Sequence, residues 1–182
     1  MSEENNISRR RMIEISSVAA LSTIVSPSRV SAKNPTTEES NFEITDSDSD
    51  VCYMKALDMA ALLRTKKISA RQVMQAHLIQ IGNINTKVNA IITLVPEDQL
   101  LAQALSADES IAKGNIMGPL HGLPIAVKDL RETKGIRTTY GSPLYKDLIP
   151  SEDALIVERQ RKAGAIILGK TNVPELGMGS QT

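Results

Sequence analysis

Aromatic side chains are nearly absent from this 182-residue sequence, which has no tryptophan, one phenylalanine and three tyrosines. The hydrophobic core must therefore be built from Leu, Ile, Val, Met and Ala. The shortage also argues against an interface that depends on aromatic anchor residues. Apolar residues make up 41% of the chain and charged residues 23%. This composition is typical of a soluble globular domain and excludes disorder as the main description of the chain.

Cysteine and histidine are equally scarce, with Cys52 as the single cysteine and two histidines, His77 and His121. One thiol cannot form an intrachain disulfide, and three such side chains cannot complete a Cys/His zinc site. The tripeptide at 169–171 (Gly-Lys-Thr) matches the end of a phosphate-binding loop, but an apolar run precedes it where such a loop needs glycine. We therefore expect no metal and no cofactor.

No sign of charge dominates, because 21 Lys and Arg residues balance 21 Asp and Glu residues. The balance is uneven along the chain. Residues 33–50 contain one lysine and six acids, whereas residues 51–182 contain 16 basic and 12 acidic residues. This scattered excess of four positive charges is too small for a nucleic-acid-binding surface. We expect no nucleic-acid partner.

Residues 1–32 have the organisation of an export signal. Three arginines at 9–11 precede a weakly apolar run at 12–25, and the small residues at 30–32 fit a cleavage site. Adjacent arginines fit a twin-arginine signal, and the apolar run is too short for a stable membrane anchor. We expect a periplasmic or extracellular protein whose mature chain begins near Lys33. The alternative is a cytoplasmic protein in which the arginines cluster by chance.

Residues 33–52 are predicted to form a solvated acidic linker, because they contain too little apolar surface to offset the entropy lost on ordering. From residue 53 onward, helical and strand patterns alternate, which predicts an α/β domain with a largely parallel sheet. Helical spacing predicts helices over 55–64, over 70–81 after an N-cap at Ser69, between Pro96 and Gly114, and over 151–163. Short apolar runs predict strands over 90–95, 123–127 and 165–168.

The segment 118–129 places a lysine, Lys128, directly after a predicted buried strand. In open α/β sheets, ligands bind at the carboxyl ends of the strands. Desolvation at such a position lowers the pKa of a lysine toward that of a usable base. Because successive strand residues point to opposite faces, Asp129 is poorly placed to neutralise Lys128. From composition alone, however, a solvated surface lysine is the more common outcome.

This segment, with the sequence GPLHGLPIAVKD, resembles the motif that opens the amidase signature family. The members are serine hydrolases that act on amide carbon–nitrogen bonds. The resemblance covers residues 53–182 and continues through TTYGS at 138–142 and GKTNVPE at 169–175. It implies the N-terminal portion of the amidase signature fold, a mixed β-sheet flanked by helices that is incomplete in this chain.

The resemblance also implies a site. In the family, a lysine, a serine held next to a cis peptide and a nucleophilic serine form the catalytic set, and the motif match places the lysine at Lys128. A neutral lysine would accept the proton of the nucleophile through the bridging serine. The loop after the Pro-Glu pair lines the acyl site, which implies substrate contacts at Met178 and Gly179. The implied partner is a small amide substrate, and a homodimer is a compatible assembly.

The sequence departs from the family pattern in one respect, because it contains no Gly-Gly-Ser-Ser-Gly-Gly segment to supply the two serines. Ser142 and Ser180 lack a glycine-rich nucleophile turn, and His121 lies in a turn where it supports the loop. None of these three residues is therefore a good catalytic candidate. We expect the 182-residue chain to be inactive by itself.

Two other functions remain open. The chain could be a non-catalytic module that binds a partner through apolar surface. It could also be the amidase-like subunit of a tRNA-dependent amidotransferase, which has the same opening motifs. That role is cytosolic, so an export signal would exclude it. Fold and family give the class of reaction, not the identity of the substrate.

Overall fold

The computed structural model describes residues 51–179. The predicted export signal and most of the predicted linker lie outside these residues. Val51 and Cys52, the last two residues of the predicted linker, have helical conformation, and Val51 packs against the core. Within the described part, no helix is long and apolar enough to cross a membrane.

Between residues 53 and 179, four α-helices correspond to the four predicted ones. Their bounds are Ala56–Arg64 for α1, Ala70–Val88 for α2, Glu97–Ala112 for α3 and Leu155–Lys162 for α4. The prediction begins α4 too early, at residue 151. Residues just before the helix instead bind a preceding loop, since the Asp153 carboxylate accepts from the Lys134 N–H at 2.7 Å and the Ala154 N–H donates to the Glu132 carbonyl oxygen at 2.9 Å.

The start of α2 is fixed by a capping box and by a neighbouring helix. The Ser69 hydroxyl accepts from the Gln72 N–H, and the Gln72 side chain accepts from the Ser69 N–H. The Asp108 carboxylate on α3 accepts from the Ala70 and Arg71 N–H groups at 2.6 and 3.1 Å. The free N–H groups of the first turn are therefore satisfied, and α2 is tied to α3.

Three strands form one mixed sheet in the order β1-β3-β2, with bounds Ile91–Leu94 for β1, Pro124–Lys128 for β2 and Ile166–Thr171 for β3. Strand β3 runs parallel to β2 and antiparallel to β1. The mixed sheet implied by the family resemblance is confirmed, and the largely parallel sheet is wrong for these strands. Alternation of helices and strands identifies elements, but strand direction depends on the path of each connection.

The sheet is covered on both faces by aliphatic side chains. Because successive strand residues point to opposite faces, Ile166 and Leu168 enter one core cluster and Ile167 enters another. The larger cluster includes buried residues of α1, α2 and α3, namely Met59, Leu63, Val73, Met74, Leu100 and Ala104. The smaller cluster joins Ile167 to Val127 of β2 and Val157 of α4.

Two glycines provide a matched test of the packing. A Cβ added at Gly169 of β3 would overlap the Thr93 carbonyl oxygen of β1, whereas a Cβ added at Gly82 of α2 meets nothing within 4 Å. We expect Gly169→Ala to lower the free energy of unfolding by about 1–3 kcal/mol. Gly82→Ala should raise it by about 0.5–1 kcal/mol, because alanine loses less entropy in a helix. Urea denaturation measures both, and similar effects of the two substitutions would contradict this description of the β1–β3 contact.

Candidate active site

Lys128 is the last residue of β2 and pairs in register with Thr171, the last residue of β3. It therefore lies at the edge where both parallel strands have their carboxyl ends. Burial alternates here, since Val127 is buried, Lys128 is exposed and Asp129 is buried. The desolvation expected for Lys128 is thus not found in the described structure. The strand pleat that turns its neighbours inward turns Lys128 outward.

The buried lysine is Lys170 of β3, which has no exposed side-chain surface. Its Nζ donates to the Arg131 carbonyl oxygen and to the hydroxyl oxygens of Thr133 and Thr138, the latter two at 3.0 and 2.8 Å. Burial lowers the pKa of Lys170 to about 8, and the nearby Asp129 carboxylate opposes this effect. Sequence reasoning missed this residue because the predicted strand ended at Leu168, three positions before β3 ends at Thr171.

Asp129 points into the same cluster. Its Oδ1 lies 3.9 Å from the Lys170 Nζ, and both of its oxygens accept from the Thr139 N–H, at 3.1 and 3.0 Å. The backbone of Asp129 is held as well, since its N–H donates to the Thr171 carbonyl oxygen and its own carbonyl oxygen accepts from the Tyr140 N–H. Asp129 therefore pairs with Lys170 and not with its chain neighbour Lys128, as the alternation predicts.

Two loops at this edge are joined, and we call their contact the loop clasp, formed by Tyr140, Ser142, Glu175 and Leu176. The Ser142 hydroxyl donates to the Glu175 carboxylate at 2.7 Å, and the Leu176 N–H donates to the Tyr140 carbonyl oxygen at 2.7 Å. Tyr140 and Leu176 both have φ of 52°, a conformation that is unfavourable for side chains of this size. The clasp therefore holds strained backbone at two facing positions.

The clasp also involves the Tyr140 side chain. Its hydroxyl donates to the Glu132 carboxylate at 2.9 Å, and burial together with this hydrogen bond raises the pKa of Tyr140. Because the Tyr140 backbone contacts both Asp129 and Leu176, the loop that follows β2 is tied to the loop that follows β3. Local motifs do not reveal this link, because it joins residues far apart in the chain.

Met178 and Gly179, the predicted substrate contacts, follow the short helical turn Glu175–Gly177. Met178 is 71% exposed, and its N–H donates to the Glu175 carbonyl oxygen at 3.0 Å. Gly179 is exposed and has φ of 114°, in the region that favours glycine. The structure therefore places Lys128 at the end of β2, and the other two residues on the loop after β3, at one edge of the sheet.

His121 is buried and acts as a brace. Its Nδ1 lies 3.2 Å from the Met117 N–H, which donates to it, so the other nitrogen carries the proton and donates to the Ala107 carbonyl oxygen at 3.1 Å. The ring thus joins the turn before β2 to α3, in agreement with the supporting role predicted from the sequence. Among residues 51–179, no group of three side chains could hold a metal ion.

Comparison with known proteins matches residues 72–182 to the family model described as Amidase. The chain belongs to the Amidase family. In this amidase chain, Lys128 lies at the end of one strand of the mixed sheet, and the loop clasp lies at the same edge.

Curated relatives include a glutamyl-tRNA(Gln) amidotransferase subunit from Acidothermus cellulolyticus, which is 40% identical over 134 residues that cover 74% of this chain and 26% of that protein. The protein of the same name from Methylococcus capsulatus is 46% identical over 123 residues, which cover 68% of this chain and 25% of that protein. The chain therefore spans about a quarter of the length of these two relatives.

Solved structures show the same relationship. The native peptide amidase from Stenotrophomonas maltophilia is 31% identical, with a TM-score of 0.65 and coverage of 70% of this chain and 26% of that one. A fatty acid amide hydrolase structure shares the fold, with a TM-score of 0.67 at 24% identity. The match covers 72% of this chain and 23% of that one. The N-terminal portion of the amidase fold is thus confirmed for this chain.

The buried pair of charges in this amidase chain can be tested by a double-mutant cycle. Lys170→Met leaves the Asp129 carboxylate buried without a counter-ion, so we expect the free energy of unfolding at pH 7 to fall by about 3–5 kcal/mol. Adding Asp129→Asn removes the unpaired buried charge, so we expect the double variant to regain most of the lost free energy of unfolding. Urea unfolding followed by circular dichroism measures each variant.

Lys162→Met is the control, because Lys162 forms an exposed pair with Glu158 on α4. We expect it to leave the free energy of unfolding nearly unchanged, because exposed ion pairs contribute little to stability. Strictly additive losses in the Lys170→Met/Asp129→Asn variant would contradict the pairing.

Proposed function

We propose that this chain supplies the lysine-bearing part of an amidase that hydrolyses amide carbon–nitrogen bonds, with Lys128 as the catalytic lysine. The observation that carries the proposal is the position of Lys128 at the carboxyl end of β2, exposed beside the end of the parallel strand β3. An exposed amine at this edge can reach reacting groups that a buried one cannot. Membership of the Amidase family supports the class of reaction.

In the proposed reaction, the neutral amine of Lys128 accepts a proton that passes from a nucleophilic serine through a bridging serine. The serine oxygen attacks the amide carbonyl, the carbon–nitrogen bond breaks, and the amine leaves with a proton. Water then hydrolyses the acyl-enzyme, while backbone N–H groups stabilise the oxyanion. Ser142 does not fit the nucleophile, because it is buried and its hydroxyl proton is donated to Glu175. The 182 residues contain no glycine-rich serine segment.

The proposed ligand is a small amide, with Met178 and Gly179 as its contacts on this chain. Support comes from the exposure of both residues and from their place on the loop after β3. The loop clasp limits the motion of this loop relative to the end of β2, which favours a fixed distance between the ligand and Lys128. A homodimer is compatible with this arrangement.

A second candidate is the amidase-like component of a tRNA-dependent amidotransferase. It is favoured by the identities of 40–46% to relatives of that name, against 31% to the peptide amidase. We propose export of this chain on the basis of the arginines at 9–11 and the weakly apolar run that follows. Export to the periplasm would separate the chain from tRNA, so location distinguishes the two candidates.

The role of Lys128 is tested in a hybrid enzyme. Residues 72–179 replace the matching segment of the Stenotrophomonas maltophilia peptide amidase, and the release of ammonia from a peptide amide is measured. We expect Lys128→Ala to lower kcat by at least about 100-fold, because proton transfer from the nucleophile is lost. Lys113→Ala, at an exposed lysine after α3, is the matched control and should retain the rate.

A folded hybrid that keeps its rate after Lys128→Ala would refute the proposal. The 182-residue chain gives an independent check with a simple aryl amide, on which we expect no turnover. Turnover that Lys128→Ala abolishes would place the nucleophile within the chain and would show that the serine assignment is wrong.

Export is tested by sequencing the amino terminus of the chain recovered from a bacterial host. We expect a periplasmic product that begins at Lys33, because the small residues at 30–32 precede the predicted cleavage point. Replacing Arg9 and Arg10 by lysine should retain the chain in the cytoplasm if the signal is of the twin-arginine type. An uncleaved cytoplasmic chain would favour the amidotransferase role instead.

A further inference from the structure

The loop that carries the proposed substrate contacts takes its shape from its own backbone. It begins with the helical turn Glu175–Gly177. The Gly177 N–H donates to the Pro174 carbonyl oxygen at 2.8 Å, and the Met178 N–H donates to the Glu175 carbonyl oxygen at 3.0 Å. The backbone of Met178 is therefore held by that of Glu175, so a contact that fixes Glu175 also fixes Met178.

Glu175 is fixed from across the edge of the sheet by Ser142. Glu175 is exposed, so packing in the core contributes little to its position. Its carboxylate accepts from the hydroxyl of the buried Ser142 at 2.7 Å, and hydrogen bonds to a charged group are the stronger ones. The Ser142 N–H in turn donates to the Thr139 carbonyl oxygen at 2.9 Å. The carboxylate therefore binds a hydroxyl that is itself part of the ordered loop after β2.

Close packing places the same loop against residues that follow Lys128. A Cβ added at Gly141 would lie 2.7 Å from the Val173 carbonyl oxygen, so the two loops touch there through their backbones. A Cβ added at Gly177 would lie 2.6 Å from Cδ1 of Leu130, which is two residues after Lys128. The loop that carries the proposed substrate contacts therefore packs directly on the chain that leaves β2.

We propose that Glu175 and Ser142 are positioning residues for the amide substrate, because their hydrogen bond holds Met178 in the place from which it contacts the substrate. This inference rests on the proposed function. Neither residue touches the reacting atoms. The bond keeps the loop in its binding-competent conformation before the substrate arrives, and the apparent affinity is proportional to the fraction of the protein in that conformation.

The proposal is tested by separating KM from kcat in the hybrid enzyme with a peptide amide as substrate. We expect Glu175→Ala to raise KM about tenfold, because the lost bond lowers the competent fraction of the loop. We expect kcat to stay within about twofold, because saturating substrate restores that conformation. Glu175→Gln keeps an oxygen that accepts from Ser142, so its KM should stay within about twofold of the original. Glu109→Ala, at an exposed glutamate on α3, is the matched control.

Two double variants identify the contacts through which Glu175 acts. Ser142→Ala should raise KM as much as Glu175→Ala does, and the two changes together should raise it no further. In a Met178→Ala background, Glu175→Ala should change KM by less than about twofold. Additive effects in either pair would refute the proposed coupling.

A purely structural role for Glu175 predicts a different result. A loss of folded enzyme lowers kcat and leaves KM unchanged. That pattern in Glu175→Ala, or a failure of Glu175→Gln to restore KM, would overturn the proposal. Circular dichroism and a cooperative urea transition measure the folded fraction of each variant.

Hydrogen–deuterium exchange of the 182-residue chain tests the bond without hydrolysis. We expect Glu175→Ala to speed the exchange of the Leu176 and Met178 N–H groups about tenfold, because the loop opens more often. Glu175→Gln should keep their protection, and the N–H groups of β3 should exchange at the original rate in both variants. Unchanged exchange in a folded Glu175→Ala chain would contradict the holding role of the bond.

Failure of this proposal can be told apart from failure of the proposed function. A hybrid enzyme that is indifferent to Lys128→Ala would refute the proposed function, while the exchange measurement would still report on the bond between Ser142 and Glu175. A hybrid that depends on Lys128 but keeps its KM after Glu175→Ala would refute only the positioning role.

Discussion

The buried ammonium of Lys170 is the constraint on which this edge of the molecule depends. A charge without exposed surface requires partners, and all four oxygen partners lie after β2 in the chain, at Arg131, Thr133, Thr138 and Asp129. The fourth, Asp129, is fixed in turn by Thr139. The contacts of the Lys170 ammonium therefore order the loop after β2. Removing the ammonium would leave the Asp129 carboxylate buried without a counter-ion.

The ordered loop then positions its neighbour. The Tyr140 carbonyl oxygen accepts from the Leu176 N–H, and the Ser142 hydroxyl donates to Glu175, so the loop after β3 adopts the position that the loop after β2 permits. Two residues, Tyr140 and Leu176, accept strained backbone angles in the process. Strain of this kind persists only where the surroundings fix the conformation, which is a common property of functional edges.

Family membership and geometry support the same class of chemistry from different directions. The chain matches the Amidase family model, and it covers about a quarter of the length of the relatives and solved structures it resembles. The geometry separates two lysines that lie near one another on parallel strands. One is buried and paired, and the other is exposed at the carboxyl edge where ligands of α/β sheets bind. The proposed proton acceptor is the second lysine, Lys128, whereas the first, Lys170, is the buried partner of Asp129.

Much of this fold could be predicted from the sequence, because the responsible signals are local. The Ser69 cap, the helical spacing of aliphatic residues and the Pro-Glu start of α3 each act within a few residues, and the family motifs placed Lys128 at a strand end. The sequence alone also determined that the core is aliphatic. Only the tertiary structure decided that β1 is antiparallel, that β3 extends to Thr171 and that Lys170, not Lys128, is buried. These outcomes depend on contacts between distant residues, such as Lys170 and Thr133, which lie 37 positions apart. The hydrophobic periodicity of a segment depends on neighbouring residues only, so it cannot predict contacts between residues this far apart.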